Sequence, residues 1–350
     1  MQTERVKAGT FAVLLVLGVL GLFDFSALGG NLEPSEAPGP TMKRLDEVEP
    51  RVAIHTSDLP LTITDSNSYY LVENIDFTDA LRHAITIECN DVTIDLMGYT
   101  LKGAGSGAKS GIYINCRNNV EIRNGSVRDF YYGICEPCLS AKEHRVINVR
   151  AVSNEYSGIY LEGHGHMVKG CTATENGYRG IHAGTGSTVT SNTASDNGGA
   201  GIYTGKGCTI SNNTAYGNTY GGIHASYGCT VTANTVHHNL GHGIYAGGCC
   251  TVTGNTAYEN NRLDEAAYAG IRVNYGCLVK GNTATYNKQN NIYVVEDDNV
   301  IEGNLLTNCT GCGIYFRVAG NFYANNRASG NGTDYGNTAG NTDGGGNYSF

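Results

Sequence analysis

The residues best suited to chemistry follow a recurring Gly-Ile dipeptide. Two positions after each Gly the chain reads Tyr113, Cys135, Tyr160, His182, Tyr203, His224, Tyr245, Arg272, Tyr293 and Tyr315. Tyr joins a flat apolar ring to a polar tip, while His and Arg add proton-transfer and cationic groups. Arg272, His224 and His182 are therefore the candidate catalytic groups. His182 and His224 stand two repeats apart, about 10 Å at strand spacing, which is too far for a direct proton relay. Arg272 has Tyr245 and Tyr293 as column neighbours rather than carboxylates. Glu296, Asp297 and Asp298 supply the oxygens that a hard cation such as calcium prefers, although a solvated acidic turn has the same composition. His237, His238 and His242 cluster around a turn and suit copper or zinc, yet no Met or Cys stands at matching positions. The pairs Cys135/Cys138 and Cys309/Cys312 lack the His partners of a zinc site, so local disulfides or inert turn cysteines are expected. No complete catalytic set emerges, and no cofactor is expected, the acidic turn Glu296–Asp298 being the sole candidate calcium site.

The elements that position these residues are read from the repeat. Gly-Ile recurs at Gly111, Gly133, Gly158, Gly180, Gly201, Gly222, Gly243, Gly270 and Gly313, with Asn291-Ile292 in the gap, at intervals of 22, 25, 22, 21, 21, 21, 27, 21 and 22. A second track repeats Asn-Thr-Ala, as at Asn192 and Asn213, and a third repeats Thr-Val-Thr, as at Thr188 and Thr230. Short alternating strands separated by Gly and Asn form one turn of a solenoid, with Ile, Val and Ala inward and Thr or Tyr outward. Leucine-rich repeats need a leucine pattern that is absent, hexapeptide helices need a shorter period, and calcium-binding nonapeptides do not occur. The expectation is an all-β, right-handed parallel β-helix of about ten coils with period 21–22, a rod of roughly 50 Å.

In such a rod equivalent positions stack. Asn154, Asn176, Asn197, Asn218, Asn239, Asn260 and Asn287 form an asparagine ladder, Asn being tolerant of left-handed backbone and able to hydrogen-bond between coils. Cys208, Cys229, Cys250 and Cys277 form an inward column, for which buried thiols are preferred to bridges. The Tyr/His column becomes a stripe along one face, suited to stacking on sugar rings: Tyr160, His182, Tyr203, His224, Tyr245, Arg272 and Tyr293. Tyr is also simply a good strand residue that stacks on itself. Two longer intervals insert the Cys135–Cys138 region and roughly Asn261 to Ala267, where loops flank the same strand.

Composition agrees with this architecture. Of 350 residues 16% are charged, Gly numbers 49, Tyr 23, Phe 8, Pro 6 and Trp 0, and the net charge is -9. The absence of a basic block excludes phosphate-backbone binding as the main business, so no nucleic acid partner is expected. Arg5 and Lys7 precede the apolar run Phe11 to Phe23, and Ser26, Ala27 and Gly29 follow, so 1–30 reads as a secretory signal. Cleavage would leave no membrane span, in a protein that is secreted, periplasmic or held at the cell surface. Residues 31–51, with Pro34, Pro38, Pro40 and Pro50, read as a linker, 52–90 as an N-terminal cap, 91–330 as the repeats and 331–350 as a closing segment.

The first coil Val92-Thr93-Ile94-Asp95-Leu96, with Gly98 and Leu101, the lead from Pro40 to Arg51 and the tail from Gly344 to Phe350 resemble the pectate-lyase-like superfamily. The likeness spans about 90–330 and is nearest to the β-helix repeats of the NosD type, which mature copper sites. It implies that a polysaccharide lies along the stripe. Lyases of this kind use an Arg or Lys base with acidic calcium ligands, and Arg272 lacks the latter. Gly163-His164-Gly165 matches a polygalacturonase tripeptide, but the same turn reads Gly184-Thr185-Gly186 one coil on, and the family's acidic pairs are missing. The epimerase motif D-P-H is absent. The expected function is polysaccharide binding in a cell-surface or adhesive role. A lyase or hydrolase centred on Arg272 and His224 is the alternative, and a periplasmic metal-site accessory protein the second alternative.

Overall fold

A computed structural model describes residues 50–262 and 268–350. The expected signal, nearly all of the expected linker and most of the insertion before Tyr268 lie outside the described residues. Each repeat folds as the alternation demands. In Ala200–Thr204 the Ile202 side chain is buried and Tyr203 points outward, while Thr209–Ser211 and Thr214–Tyr216 bury Ile210 and Ala215 between hydroxyl-bearing neighbours. The next coil repeats this with Gly221–Ala225, Thr230–Thr232 and Thr235–His237. Among the described residues the strands pair in parallel, in register as in Ile181↔Ile202 and Ile202↔Ile223, with a one-residue shift between Leu161 and His164 against Ile181–Thr185. Fully buried Ile, Val and Ala side chains therefore stack into one continuous core. Burying each such Ile favours folding by about 2 kcal/mol.

The strands that carry the Tyr/His stripe form a 13-stranded sheet running from Leu61–Ile63 to Thr333–Gly336, and the other two strands of each coil build a second, 25-stranded assembly. The solenoid thus has about 13 coils rather than about ten. The additional rungs are Leu61–Ile63, Ile85–Ile87 and Thr333–Gly336, which fill the same register without a Gly-Ile dipeptide and so escape a search for it. Residues 52–90 contribute strands that pair with the following coils.

The corners explain the register. The expected ladder is present: Asn197 donates its backbone N–H to Asn218 Oδ1 at 3.1 Å, and its Nδ2 to the same oxygen at 2.9 Å and to Ala173 O at 3.0 Å. Asn218 does the same toward Asn239 and Ala194. A second ladder runs through Asn192, Asn213, Asn234, Asn255, Asn282 and Asn304, in what sequence shows only as a strand track. The left-handed residue is not the ladder Asn but the one before it: Asp196 has φ 54° and Ser191 φ 58°. The turn bends at that residue, and the Asn amide then satisfies the backbone groups that the bend exposes.

The cysteine column is the third ladder in other chemistry. Cys208, Cys229, Cys250 and Cys277 are buried free thiols. Ser187 N–H donates to Cys208 Sγ and Cys229 N–H to Cys250 Sγ, each at 3.4 Å, while Cys208 Sγ donates to Gly184 O at 3.1 Å. The thiol replaces the amide as both acceptor and donor. Toward the C-terminal end the same corner reverts to Asn299 and Asn321. Neither C-x-x-C pair closes on itself: Cys138 bonds to Cys116 of the preceding coil, across a Cα separation of 5.2 Å, and Cys135, Cys309 and Cys312 are free.

Asn218→Ala removes the acceptor for Asn197 and the donor to Ala194 O, all in a dry corner. Its expected cost is about 3 kcal/mol, measured as a drop in urea-unfolding free energy, whereas Thr209→Ala on an exposed strand position of the preceding coil stays within about 0.5 kcal/mol.

Candidate functional site

Register places all the stripe residues in one line: Tyr160↔His182↔Tyr203↔His224↔Tyr245↔Arg272↔Tyr293. Strand spacing then brings their rings into contact. Tyr160 and His182 lie 4.6 Å apart between centroids, His182 and Tyr203 5.2 Å, Tyr203 and His224 4.6 Å, and His224 and Tyr245 4.4 Å. The Arg272 guanidinium continues the stack between Tyr245 at 5.3 Å and Tyr293 at 5.9 Å. This geometry corrects one expectation. The ring faces are turned toward each other, so the column presents ring edges outward rather than flat faces for sugars. Nor is His182 an open position, being only 5% exposed. The free aromatic surface beside the column belongs to Tyr220, which is 53% exposed.

Two residues outside the column complete a polar cluster around His182. Arg179 Nη1 lies 2.5 Å from His182 Nδ1, and His182 Nε2 lies 2.6 Å from Glu162 Oε2. A guanidinium has no acceptor, so Nδ1 must accept, and the ring proton sits on Nε2 and donates to Glu162. The hydrogen bond from His182 is the largest effect holding the Glu162 carboxyl below its usual range, and Tyr160 adds another. Arg179 also spans the ring of Tyr203 at 3.7 Å and that of Tyr178 at 4.9 Å. With Tyr220, His224 and the Gly198–Ala200 backbone these groups line a cleft of about 320 Å³.

A different column of the repeat would have revealed Arg179. The position before each Gly of Gly-Ile holds small residues in most coils, among them Ser157, Ala200, Gly221 and Ala269, but Tyr132, Arg179 and His242 break the pattern. Glu162 lies two residues after Tyr160, on the same outward side of Ile159–His164.

The three catalytic candidates do not converge. His182 is engaged at both nitrogens. His224 is held neutral, its pKa pushed down to about 4 by burial and then by Arg179 and Arg272. Arg272 meets His242, not a carboxylate. His242, buried in the stripe sheet, is separated from His237, whose ring stacks between Tyr216 and Tyr258 on the other assembly. His237 and His238 meet through Nδ1 at 2.9 Å, and His238 Nε2 lies 2.5 Å from Glu259. Glu296, Asp297 and Asp298 form an exposed turn, and the first two lend backbone carbonyls to Asn299. Among the described residues no three His, Cys, Asp or Glu side chains are grouped as a metal ion requires.

Glu136, which pairs across the sheet with Leu161, is 0% exposed and accepts from the N–H groups of Cys138 and Gly163. Burial pushes its carboxyl up to about 7. A raised folded-state pKa means stability that is full below the unfolded carboxyl value and falls as pH rises toward 7. Thermal midpoints measured between pH 5 and 8 are therefore expected to decline in the wild type, and that part of the decline is expected to vanish in Glu136→Gln.

No curated protein matches the chain by sequence. Among solved structures the fold resembles the A-module of the mannuronan C-5 epimerase AlgE6 of Azotobacter vinelandii, at 15% identity and TM-score 0.61 over 81% of this chain and 91% of that one. It also resembles the Dettilon tailspike protein, at 18% identity and TM-score 0.55 over 70% of this chain and 57% of that one. A third likeness is to the catalytic unit of an alpha-1,3-glucanase from Streptomyces thermodiastaticus, at 15% identity and TM-score 0.50 over 85% and 68%. At such identities these likenesses speak for the fold. Among the described residues no helix is long and apolar enough to cross a membrane. The family described as right-handed beta helix region matches residues 61–209, 138–277 and 204–350, and the chain belongs to that family.

Proposed function

We propose that this chain binds polysaccharide along the stripe sheet, with the cleft around Arg179, Tyr203 and Tyr220 as the main point of engagement. The observation that carries this reading is the unbroken line of polar-edged rings and guanidinium groups from Tyr160 to Tyr293, opening beside an exposed aromatic ring. A sugar is recognised by hydrogen bonds to its hydroxyls and by an apolar ring against its flat side. The column edge supplies the first and Tyr220 the second. The names of the structural neighbours, a mannuronan epimerase and an alpha-1,3-glucanase, support a polysaccharide as the ligand. Export through the segment 1–30, with action outside the cytoplasm, belongs to the same proposal, as such a ligand would be met there.

A second reading, turnover of the bound glycan, draws on the hydrogen-bonded line Arg179–His182–Glu162, of which Arg179 lines the cleft. A carboxylate and an imidazole of fixed tautomer are the groups that acid-base chemistry employs.

Retention of the mature chain in gels containing single polysaccharides tests both readings. Arg179→Ala and Tyr220→Ala are each expected to weaken retention about tenfold, while Tyr286→Ala, in the exposed turn after Thr283–Thr285, leaves it unchanged. Retention insensitive to Arg179 and Tyr220 contradicts the proposed site. New reducing ends or unsaturated-uronate absorbance, abolished by Glu162→Gln, would establish turnover.

A further inference from the structure

In the column before Gly-Ile, Arg179 and His242 each belong to a pair that brings an arginine against a histidine, yet only one pair is complete. At Arg179–His182 the imidazole accepts from the guanidinium and donates to Glu162. At the second pair Ala269 N–H donates to His242 Nδ1 at 3.1 Å, and Arg272 Nη1 lies 3.3 Å from His242 Nε2. A neutral imidazole has one acceptor nitrogen and one N–H. With Nδ1 already accepting, Nε2 carries the proton and points it at a guanidinium N–H, so donor faces donor. The other tautomer only moves the conflict to Ala269. A doubly protonated ring would present donors on both sides, beside a fixed cation.

The missing element is an acceptor. Glu162 fills that role in the first pair, two residues after Tyr160. The corresponding residue after Arg272 is Asn274, whose Nδ2 donates to the Tyr245 hydroxyl at 3.2 Å. Arg272 Nε is also buried without a hydrogen-bond partner, as is Asn274 Oδ1, which does not reach the guanidinium, and among the described residues no carboxylate pairs with Arg272. A donor that faces another donor is costly, and a ligand oxygen between Arg272 Nη1 and His242 Nε2 would accept from both.

We propose that Arg272 and His242 form an oxyanion subsite of the stripe, which takes an acidic substituent of the bound glycan, a carboxylate or a sulfate ester. This rests on the polysaccharide reading above and adds the charge class of the ligand. Arg272 lies four rungs along the column from His182, about 19 Å at strand spacing, so the subsite and the Arg179 cleft engage different sugars of one chain.

Binding of an oligogalacturonate, its carboxyl-reduced counterpart and a sulfated galactan oligosaccharide, measured by calorimetry on the wild type, Arg272→Gln and His242→Gln, tests this. An acidic glycan is expected to bind about tenfold tighter than the reduced one, and Arg272→Gln is expected to erase that margin, so that the two ligands bind the variant equally. The acid preferred by the wild type tells carboxylate from sulfate. A margin that survives Arg272→Gln overturns the subsite while sparing the stripe. If no oligosaccharide binds, the stripe reading fails, and the subsite is then judged by ¹⁵N shifts of the His242 ring on titration with galacturonate and with sulfate. A saturable shift at Nε2 supports the subsite, and no shift overturns it.

Discussion

Everything on this molecule's surface depends on locking each coil to the next in a single register. Main-chain pairing between parallel strands fixes the spacing, but a slip of one residue would turn each outward ring into the core. The corner ladders prevent that slip. At every bend a left-handed residue exposes backbone donors and acceptors, and the next side chain, Asn in two ladders and His, Ser, Cys or Asn in the third, satisfies them with groups from the adjoining coils. Because the ladder amide touches the coils on both sides, one misplaced coil would leave buried polar groups unpaired at several corners together.

The stripe is a consequence of this lock. Residues that share a register position are held one strand spacing apart, which is close to the distance at which aromatic rings stack. Alternation of Tyr with His from Tyr160 to Tyr245 therefore produces a stack without further adaptation, and Arg272 fits because a guanidinium is as flat as a ring. The same packing keeps the central histidines neutral. His224 and His242 are buried among aromatic and cationic neighbours, so both are pushed far below their ordinary pKa, His242 to about 3, first by burial and then by Arg272. Positive charge on the stripe accordingly comes from Arg179 and Arg272, in a chain whose net charge is -9. Two cations set against that background select for acidic partners locally without making the molecule a general polyanion binder.

What could be read from the sequence follows from which signals repeat. The strands, the inward Ile and Ala positions, the ladder from Asn154 to Asn287 and the outward column all recur with the coil, so periodicity alone exposes them. Features that interrupt the repeat are less visible. Leu61–Ile63 and Ile85–Ile87 form rungs without the Gly-Ile mark, which shortened the expected rod. Cys116 lies outside any cysteine motif, yet it is the partner of Cys138, because a disulfide between coils leaves no short spacing in the chain. Arg179 and Glu162 were hidden because attention to the strand column passes over the turn before it and the strand end after it. Arg179 stands out only in the column before Gly-Ile, and Glu162 only through its contact with His182. The donor conflict at His242 is likewise a property of atoms, invisible in a string of residue types.

The central claim is that a polysaccharide lies along the 13-stranded sheet, and the most direct measurement is a crystal structure of the mature chain with a bound acidic oligosaccharide. The account predicts sugar density running parallel to the ring column, against Tyr220 and Arg179, with an acidic group at Arg272 and His242. Sugar density instead over the Tyr216–His237–Tyr258 stack on the other assembly, with the stripe bare, would contradict it.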